Sequence, residues 1–261
     1  MNYVQVDVTD AIIKITLSDP DKLNALNEFM TRELREAVRF AADPRQDFRC
    51  LVITGAGRGF CSGGNVGMMQ GTAQEELADR ISLGSHHHYV MKMLKNLNYP
   101  VITAVNGPAV GLGFSYALTG DLIVAARSAY FLAAFRNIGV SSDGGLSWTL
   151  PKLLGWARAK ELMLLGGRLS AEQAREWGLV NYVYEDEEFQ EKTMTLAREL
   201  ASGPTVALGK MRQLMWESWD LSYEQHLDRE EYVQLETFAT EDAREGAMAT
   251  FTKRKADFKG K

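Results

Sequence analysis

The chain has 261 residues, of which 46% are hydrophobic, so it is long enough to bury a sizeable core. Its formal net charge of -5 is mildly acidic and argues against charge-driven binding to nucleic acid or membranes. Two cysteines are too few for a disulfide scaffold, and no apolar run is long enough to cross a bilayer. We therefore expect a cytoplasmic protein with reduced thiols that binds a small molecule.

Apolar patterning predicts alternating strands and helices in the first half of the chain. In order, these are a hairpin over 3–8 and 11–17, a helix over 27–43, a strand over 50–55, a helix over about 74–97, two strands flanking a short helix within 99–126, and a strand over 129–135. The pattern beyond residue 145 is helical almost throughout. It predicts an α/β core over residues 1–200 and a helical oligomerisation region over residues 201–261.

The stretch GAGRGFCSGGNVGMM, residues 55–69, carries five glycines in its first ten positions and follows a predicted strand. Glycine allows a backbone to turn tightly or to approach a ligand closely. A phosphate-binding P-loop requires a Gly-Lys-Ser/Thr ending, which is absent. The dinucleotide fingerprint requires a glycine where Phe60 stands, and the later stretch GLGFSYAL has Tyr116 at the equivalent place. Neither nucleotide motif is present.

Six stretches in the chain share a wider pattern. They are GRGFCSGG, PVITAVNGPAVGLGF, GDLIVAARSAYF, IGVSSDGGLSWTLPKLLG, LSAEQAREWGLV and KRKADF. In this order and at this spacing they resemble the crotonase (enoyl-CoA hydratase/isomerase) superfamily over essentially the full length. The resemblance implies a spiral of ββα turns, a helical trimerisation region, and homotrimers or dimers of trimers. It also implies acyl-CoA thioester substrates, with coenzyme A as part of the substrate and no separate cofactor.

The resemblance assigns backbone donors to both glycine-bearing loops. The N–H groups of Gly64 and Leu112 match the pair that binds a thioester oxygen in the family, an oxyanion hole. Leu112 stands where glycine is more common, but its N–H is unchanged. The alternative is that both loops are simply tight turns.

Coenzyme A is expected along two segments. The resemblance implies contacts from Lys22, Leu23 and Ala25 to the adenine and phosphates, and from the loop residues Cys61, Ser62 and Gly64. The resemblance implies that Lys253, near the C-terminus, reaches a 3′-phosphate, either within the subunit or across a subunit boundary. Its alternative is a solvated lysine.

Two glutamates that serve the family's hydratases are absent. Ser115 and Phe135 occupy their positions, and neither side chain can replace a titrating carboxylate. Asp143 matches an aspartate that serves as acid/base in several isomerases of the superfamily. We expect it in a pocket whose partial desolvation makes it a better base. The alternative is that Asp143 only caps a helix beginning near Gly144.

The run His86-His87-His88 does not predict a metal site, because consecutive helical residues point about 100° apart and no i,i+4 histidine partner exists. We expect no bound metal. His88 lies twelve residues before Pro100, where aryl-CoA dehalogenases of the superfamily place a working histidine. We favour a solvated histidine or one at the rim of the substrate pocket.

The residues and the resemblance together predict an acyl-CoA isomerase. Among the subfamilies the chain resembles most the phenylacetate-pathway type, which implies ring-epoxide or enoyl thioesters as substrates. Gly64 and Leu112 stabilise an enolate while Asp143 moves the proton. Three alternatives stay open. They are a dehalogenase-like hydrolase with Asp143 as nucleophile, although Phe135 replaces a tryptophan there, a hydratase-like lyase, and a non-catalytic acyl-CoA-binding protein.

Overall fold

The structure, a computed structural model, describes residues 1–64 and 73–261, with 73–83 described only as helical backbone. The end of the glycine-rich stretch, 65–69, lies outside the described residues. The strands are β1 (Val4–Thr9), β2 (Ile12–Leu17), β3 (Cys50–Gly55), β4 (Val101–Val105), β5 (Ala109–Val110), β6 (Leu122–Ala126), β7 (Tyr130–Leu132), β8 (Arg168–Ser170) and β9 (Tyr182–Tyr184). The helices are α1 (Glu28–Ala41), α2 (Ala73–Lys95), α3 (Leu112–Ala117), α4 (Leu146–Leu154), α5 (Trp156–Leu165), α6 (Ala171–Glu176), α7 (Phe189–Ala201), α8 (Thr205–Glu217), α9 (Tyr223–Phe238) and α10 (Glu241–Phe251).

A six-stranded sheet in the order β1-β2-β3-β4-β6-β9 forms the centre of the fold. The β1–β2 pair is antiparallel, as the predicted hairpin requires, and every later pair in this sheet is parallel. All residues of β3 and β4 are buried, which is typical of parallel strands covered on both faces. A smaller sheet, β5-β7-β8, lies beside it. These features confirm the predicted α/β class.

Three details differ from the sequence prediction. The C-terminal third is not helical throughout, because β8 and β9 interrupt it and β9 extends the main sheet beside β6. Strands of three residues are too short to show a period. The strand predicted over 129–135 ends at Leu132, and Ala134–Ile138 form a 3-10 turn. The helix predicted over 27–43 is shorter, because α1 spans Glu28–Ala41, and Phe40 near its end is 41% exposed and packs edge-on against Phe48.

A buried arginine fixes α8 to the body of the fold. Arg212 is 2% exposed, and its Nε donates to Asp121 Oδ2 at 2.7 Å. Its remaining guanidinium nitrogens donate to the carbonyl oxygens of Leu94, Lys95 and Leu97. These carbonyls lie at the C-terminal end of α2, where helical carbonyls lack intrahelical partners. Arg212 therefore caps α2 from the carboxy-terminal region. None of the described helices is both long and apolar enough to cross a membrane.

We expect Arg212→Ala to lower the free energy of unfolding by about 3–5 kcal/mol, because it leaves Asp121 and several carbonyls unpaired in a buried site. Urea unfolding followed by tryptophan fluorescence measures the change. Arg32→Ala is the matched control, since it removes only an exposed ion pair with Glu28 and should change stability by less than about 1 kcal/mol. Equal losses in the two variants would contradict this role of Arg212.

Candidate active site

Two asparagines shape the loop that follows β3. Asn106 accepts a hydrogen bond from Gly55 N–H at 3.0 Å and donates to the carbonyl oxygens of Gly57 and Gly59. The amide of Asn24, which is fully buried, also donates to the Gly59 oxygen, at 2.8 Å, and to the Phe60 oxygen. A glycine-rich loop has few side chains of its own to fix its course. These amides supply partners for its buried carbonyls.

The loop then packs directly against the segment before α3. Gly63 has φ of +91°, and a Cβ there would lie 2.7 Å from the Val110 oxygen. A Cβ at Gly113 would collide with the carbonyl oxygen of Cys61, which accepts the Val110 N–H at 2.9 Å. Side chains at either glycine would push the two backbones apart. Glycine therefore allows the two loops to meet.

This contact places two N–H groups side by side. Leu112 N lies 3.4 Å from the position that a Cβ of Gly63 would occupy, and Gly64 follows immediately in the chain. Leu112 is the first residue of α3, where helical N–H groups lack intrahelical acceptors. Within the described ranges, neither Gly64 N–H nor Leu112 N–H has an acceptor. Their binding of a thioester oxygen stays a prediction.

Asp143 reaches the same place from the loop before α4. Its carbonyl oxygen accepts a hydrogen bond from the Ser115 hydroxyl at 2.8 Å, and its Oδ1 accepts the Gly144 N–H at 2.6 Å. At Gly144, a Cβ would lie within 2.7 Å of side-chain atoms of Leu112, Met91 and Ser115. The loop that carries Asp143 is therefore packed onto the start of α3.

The alternative role of Asp143 as a helix cap is wrong. The helix α4 begins at Leu146 with Gly145 as its N-cap, and no side chain caps it. Gly144 and Gly145 both have positive φ, so the chain turns between Asp143 and the helix. The Asp143 side chain is 41% exposed in the single chain, and the expected desolvation in a substrate pocket stays a prediction.

His88 on α2 pairs with this carboxylate. Its Nε2 lies 2.8 Å from Asp143 Oδ1, and its side chain is 54% exposed. The histidine is thus exposed but not merely solvated, and its place at the rim of a substrate pocket stays a prediction. Both described partners of the carboxylate side chain, His88 and Gly144 N–H, bind Oδ1, and Oδ2 has no partner in the described part of the chain. One oxygen is held and the other is free.

His87, which the sequence analysis gave no role, is buried behind the site. Its Nδ1 lies 3.0 Å from Tyr116 Oη and its Nε2 lies 3.4 Å from Thr31 Oγ1. Burial lowers the pKa of His87 to about 4. The helical period could have identified it, since Val90 and Leu94 lie three and seven residues further on and are fully buried.

Comparison with known proteins decides the family. Residues 7–261 match the family model for enoyl-CoA hydratase/isomerase. The chain belongs to this family. The 1,2-epoxyphenylacetyl-CoA isomerase of Escherichia coli K12 is 38% identical over 262 residues, covering 100% of both chains. The 4-chlorobenzoyl coenzyme A dehalogenase-2 of an Arthrobacter species is 32% identical over 217 residues, or 83% of this chain and 78% of that protein.

Solved structures confirm the predicted crotonase-type α/β fold. An enoyl-CoA hydratase from Polaromonas sp. JS666 superposes with a TM-score of 0.93 at 31% identity, covering 98% of this chain and 99% of that one. An enoyl-CoA hydratase from Bacillus anthracis gives 0.92 at 29% identity, with 99% and 100% covered. The chain is therefore a crotonase-family enzyme, and the residues above lie in its candidate active site.

Ser115 and Phe135, the residues expected at the positions of the hydratase glutamates, have different surroundings. Ser115 is buried at 2% exposure and holds the Asp143 carbonyl. It therefore acts on the position of the Asp143 loop. Phe135 is partly buried against the hydrophobic core, and its carbonyl accepts the Val140 N–H at the turn that leads to this loop.

The segments expected to bind coenzyme A lie next to each other. The carbonyl of Leu23 accepts the Ser62 N–H at 2.9 Å, and the carbonyl of Lys22 accepts the Ser62 hydroxyl at 3.1 Å. Ala25, partly exposed, lies in the same segment, and its neighbour Leu26 pairs with Gly64 as an isolated β-bridge. Contact of these residues with coenzyme A stays a prediction.

Two residues of the predicted coenzyme A set are placed differently. Cys61 is fully buried and its peptide groups bond to Pro108 and Val110, so it holds the loops together and has no exposed atom for a ligand. Burial raises the pKa of its thiol to about 12. Lys253 is followed by a tail in which the carbonyl oxygen of Phe258 accepts a hydrogen bond from Arg49. Arg49 immediately precedes β3, at the end of this strand opposite to the glycine-rich loop. The role of Lys253 across a subunit boundary stays a prediction.

No group of three or more His, Cys, Asp or Glu side chains in the described ranges could hold a metal ion.

The buried His87 predicts a pH dependence of stability. Its pKa is about 4 in the folded protein and about 6.5 in the unfolded chain, so the unfolded state binds more protons between these values. The free energy of unfolding should fall by about 3 kcal/mol from this group as the pH decreases from 6.5 to 4. Urea unfolding across this range tests it. His87→Gln cannot titrate at this position, so its free energy of unfolding should fall less over the same pH range. An equal decrease in the free energy of unfolding of the two proteins would refute the assignment.

Proposed function

We propose that this family member isomerises an acyl-CoA thioester by moving a proton between carbon atoms through an enolate. The observation that carries the proposal is the Asp143 carboxylate, which is held by His88 through Oδ1, has no described partner at Oδ2, and stands on a loop packed against the start of α3. The N–H groups of Gly64 and Leu112 have no acceptor in the described part of the chain and belong to the two loops that meet there. We infer that a base and two donors face one space.

In this scheme the thioester oxygen accepts hydrogen bonds from Gly64 and Leu112. These donors stabilise the negative charge that develops on the oxygen when a proton leaves the carbon next to the carbonyl. Oδ2 of Asp143 takes the proton and returns it to a different carbon, which shifts the double bond. His88 orients the carboxylate. The scheme uses this chain and the thioester alone.

The residues disfavour ordinary hydration. Adding water to an enoyl thioester requires a group to activate the water and a group to protonate the carbon. Ser115 is buried and its hydroxyl is bonded to the Asp143 carbonyl, and Phe135 has no titrating group. Asp143 is the carboxylate that the described loops bring to the two N–H groups. A single carboxylate is sufficient for a reaction in which it takes a proton from the substrate and returns it to another carbon of the substrate.

The comparisons support a substrate class. The relative that covers the whole chain at 38% identity is an isomerase of 1,2-epoxyphenylacetyl-CoA. We therefore propose a ring-epoxide thioester or an enoyl thioester as substrate and a role in phenylacetate catabolism.

A dehalogenase-like hydrolase is the second candidate. The observation that favours it is the His88–Asp143 pair, since a resemblance to the aryl-CoA dehalogenases places a working histidine at His88 and makes Asp143 the nucleophile. The 32% identical dehalogenase acts on a 4-chlorobenzoyl thioester by its name. Oδ2, which has no described partner, is suited to act as a base or as a nucleophile. Assays with a substrate of each reaction must therefore distinguish the isomerase from the hydrolase.

Asp143→Asn keeps the size of the side chain and removes the base. We expect it to lower isomerisation of a 3-enoyl-CoA by at least about a hundredfold, the usual effect of losing a positioned acid/base. Substrate affinity should change little, because the N–H donors are untouched. Turnover and calorimetric binding measure the two effects.

Asp10→Asn is the matched control, since Asp10 is exposed in the β1–β2 turn at φ of +51°, a conformation that asparagine accepts. Near-normal turnover of folded Asp143→Asn would contradict the catalytic role. Release of chloride from 4-chlorobenzoyl-CoA by the wild type, with no isomerisation, would instead favour the hydrolase.

We also propose a trimer-based oligomer. Large apolar side chains remain exposed along the C-terminal helices of the single chain, more than a monomer commonly presents to water. They include Tyr223, Leu227, Tyr232, Leu235 and Phe238 of α9, Met248 and Phe251 of α10, and Met211 and Met215 of α8. Trp216 and Trp219 pack on Trp148 beside them.

Light scattering should give a mass that is a multiple of three chains at micromolar concentration. Leu235→Glu, at a position 63% exposed in the single chain, should shift the mass towards the monomer. Glu230→Gln, on the same helix, is the control and should leave the mass unchanged. A monomeric wild type would exclude the oligomer and the role of Lys253 across a subunit boundary.

A further inference from the structure

The imidazole of His87 joins three helices behind the candidate active site. It projects from α2 and contacts Tyr116 on α3 and Thr31 on α1. The His87 and Tyr116 rings meet edge to face, with centroids 5.9 Å apart and an angle of 76°. All three side chains are buried.

The hydrogen bonds define which nitrogen of His87 carries a proton. The Thr31 hydroxyl donates to the Asn27 carbonyl oxygen at 2.7 Å, so towards His87 it can only accept. His87 Nε2 must then carry the hydrogen. His87 Nδ1 accepts from the Tyr116 hydroxyl at 3.0 Å. A proton on Nδ1 would leave the buried Tyr116 hydroxyl without an acceptor, and the neutral tautomer with hydrogen on Nε2 satisfies every group.

The groups around His87 favour the neutral form. Burial opposes the charged imidazolium most strongly, and the neighbouring His86 and His88 oppose it further. The Asp143 carboxylate acts in the other direction. The pKa of Tyr116 is raised well above its usual value by burial, so its hydroxyl remains a donor at neutral pH.

Fixing His87 also fixes its neighbour. Consecutive residues of a helix point about 100° apart, so the direction of His87 sets the direction of His88. Tyr116 belongs to the helix that begins at Leu112, the proposed donor. The His87–Tyr116 bond therefore connects the helix that carries the partner of Asp143 to the helix that carries a donor N–H.

We propose that His87 is a positioning residue, which holds α2 against α3 so that His88 stays on Asp143 beside the Leu112 N–H. The proposal rests on the proposed function, because it concerns the same carboxylate. His87 does not touch the reacting atoms. It acts through His88, so its effect on turnover should depend on the presence of the His88 side chain.

A double-mutant cycle separates this role from a general loss of stability. Tyr116→Phe removes only the hydroxyl that donates to His87, and we expect it to lower kcat about tenfold with KM unchanged, because a small misplacement of the catalytic groups slows the reaction. His88→Ala removes the imidazole that His87 is proposed to position. In the His88→Ala background, Tyr116→Phe should lower kcat no further, since coupled residues are not additive.

Tyr99→Phe is the matched control. The Tyr99 hydroxyl is also buried and donates to the carbonyl oxygen of Ala41, so its loss removes one buried hydrogen bond away from the site. We expect a similar decrease in melting temperature and an unchanged kcat. Additive effects of Tyr116→Phe and His88→Ala, or an equal loss of kcat in Tyr99→Phe, would overturn the proposal.

Nitrogen NMR of the imidazoles gives a readout that needs no turnover. The chain has four histidines, so single variants assign each signal. We expect His87 as the neutral tautomer with hydrogen on Nε2 at pH 7, and a change in the His88 signals in Tyr116→Phe but not in Tyr99→Phe. A proton on Nδ1, or unchanged His88 signals, would refute the inference even if Asp143→Asn abolishes isomerisation. If the wild type lacks isomerase activity, the proposed function fails, and NMR alone decides whether His87 positions His88.

Discussion

The candidate site depends on the close approach of two backbones. The loop after β3 and the segment before α3 touch at Gly63 and Val110 and again at Cys61 and Gly113, where no Cβ fits. Because peptide groups face each other directly, N–H groups from separate loops can face one small atom. Side chains could not provide the same arrangement as rigidly, since each would add rotatable bonds. Glycine in these loops thus sets the geometry of the site, and its lack of a side chain is the required property.

The helix α2 is held at more than one point, which suits a helix that presents a functional side chain. Arg212 binds the carbonyls at its C-terminal end, and His87 ties its middle to α1 and α3. His88 lies between these two attachments, immediately after His87 and before the carbonyls that Arg212 binds. Satisfied hydrogen bonds in a buried site resist rotation of the helix, because any rotation leaves polar groups unpaired. The rigidity of the His88–Asp143 contact therefore has its origin in the core.

Much of the fold could be predicted from sequence, since the hairpin and α1 carry clear periodic patterns and β3 is a short apolar run that ends at a glycine-rich loop. The glycine loops and Asp143 could be selected because the resemblance covers them in order. The pairing of His88 with Asp143 could not, since it joins residues 55 positions apart and depends on the rotation of a helix. The strands β8 and β9 could not be predicted, because a strand of three residues is too short to show a periodic pattern. The resemblance also misled at Cys61, whose sequence position fits a ligand loop but whose side chain faces the interior.

The surroundings of the carboxylate limit the proposed proton transfer to one side of the substrate. Oδ1 of Asp143 is occupied by His88 and the Gly144 N–H, whereas Oδ2 has no partner among the described residues, so in the proposed reaction Oδ2 accepts the proton. If the same oxygen returns the proton, both carbon atoms must lie on the same face of the enolate and within its reach. The 41% exposure of the side chain fits this arrangement, because a thioester bound at Gly64 and Leu112 would itself cover Asp143. Water would then leave the carboxylate as the substrate arrives, and the proton would be transferred in a site from which solvent is excluded. The open carboxylate of the free chain is thus compatible with a closed site in the complex.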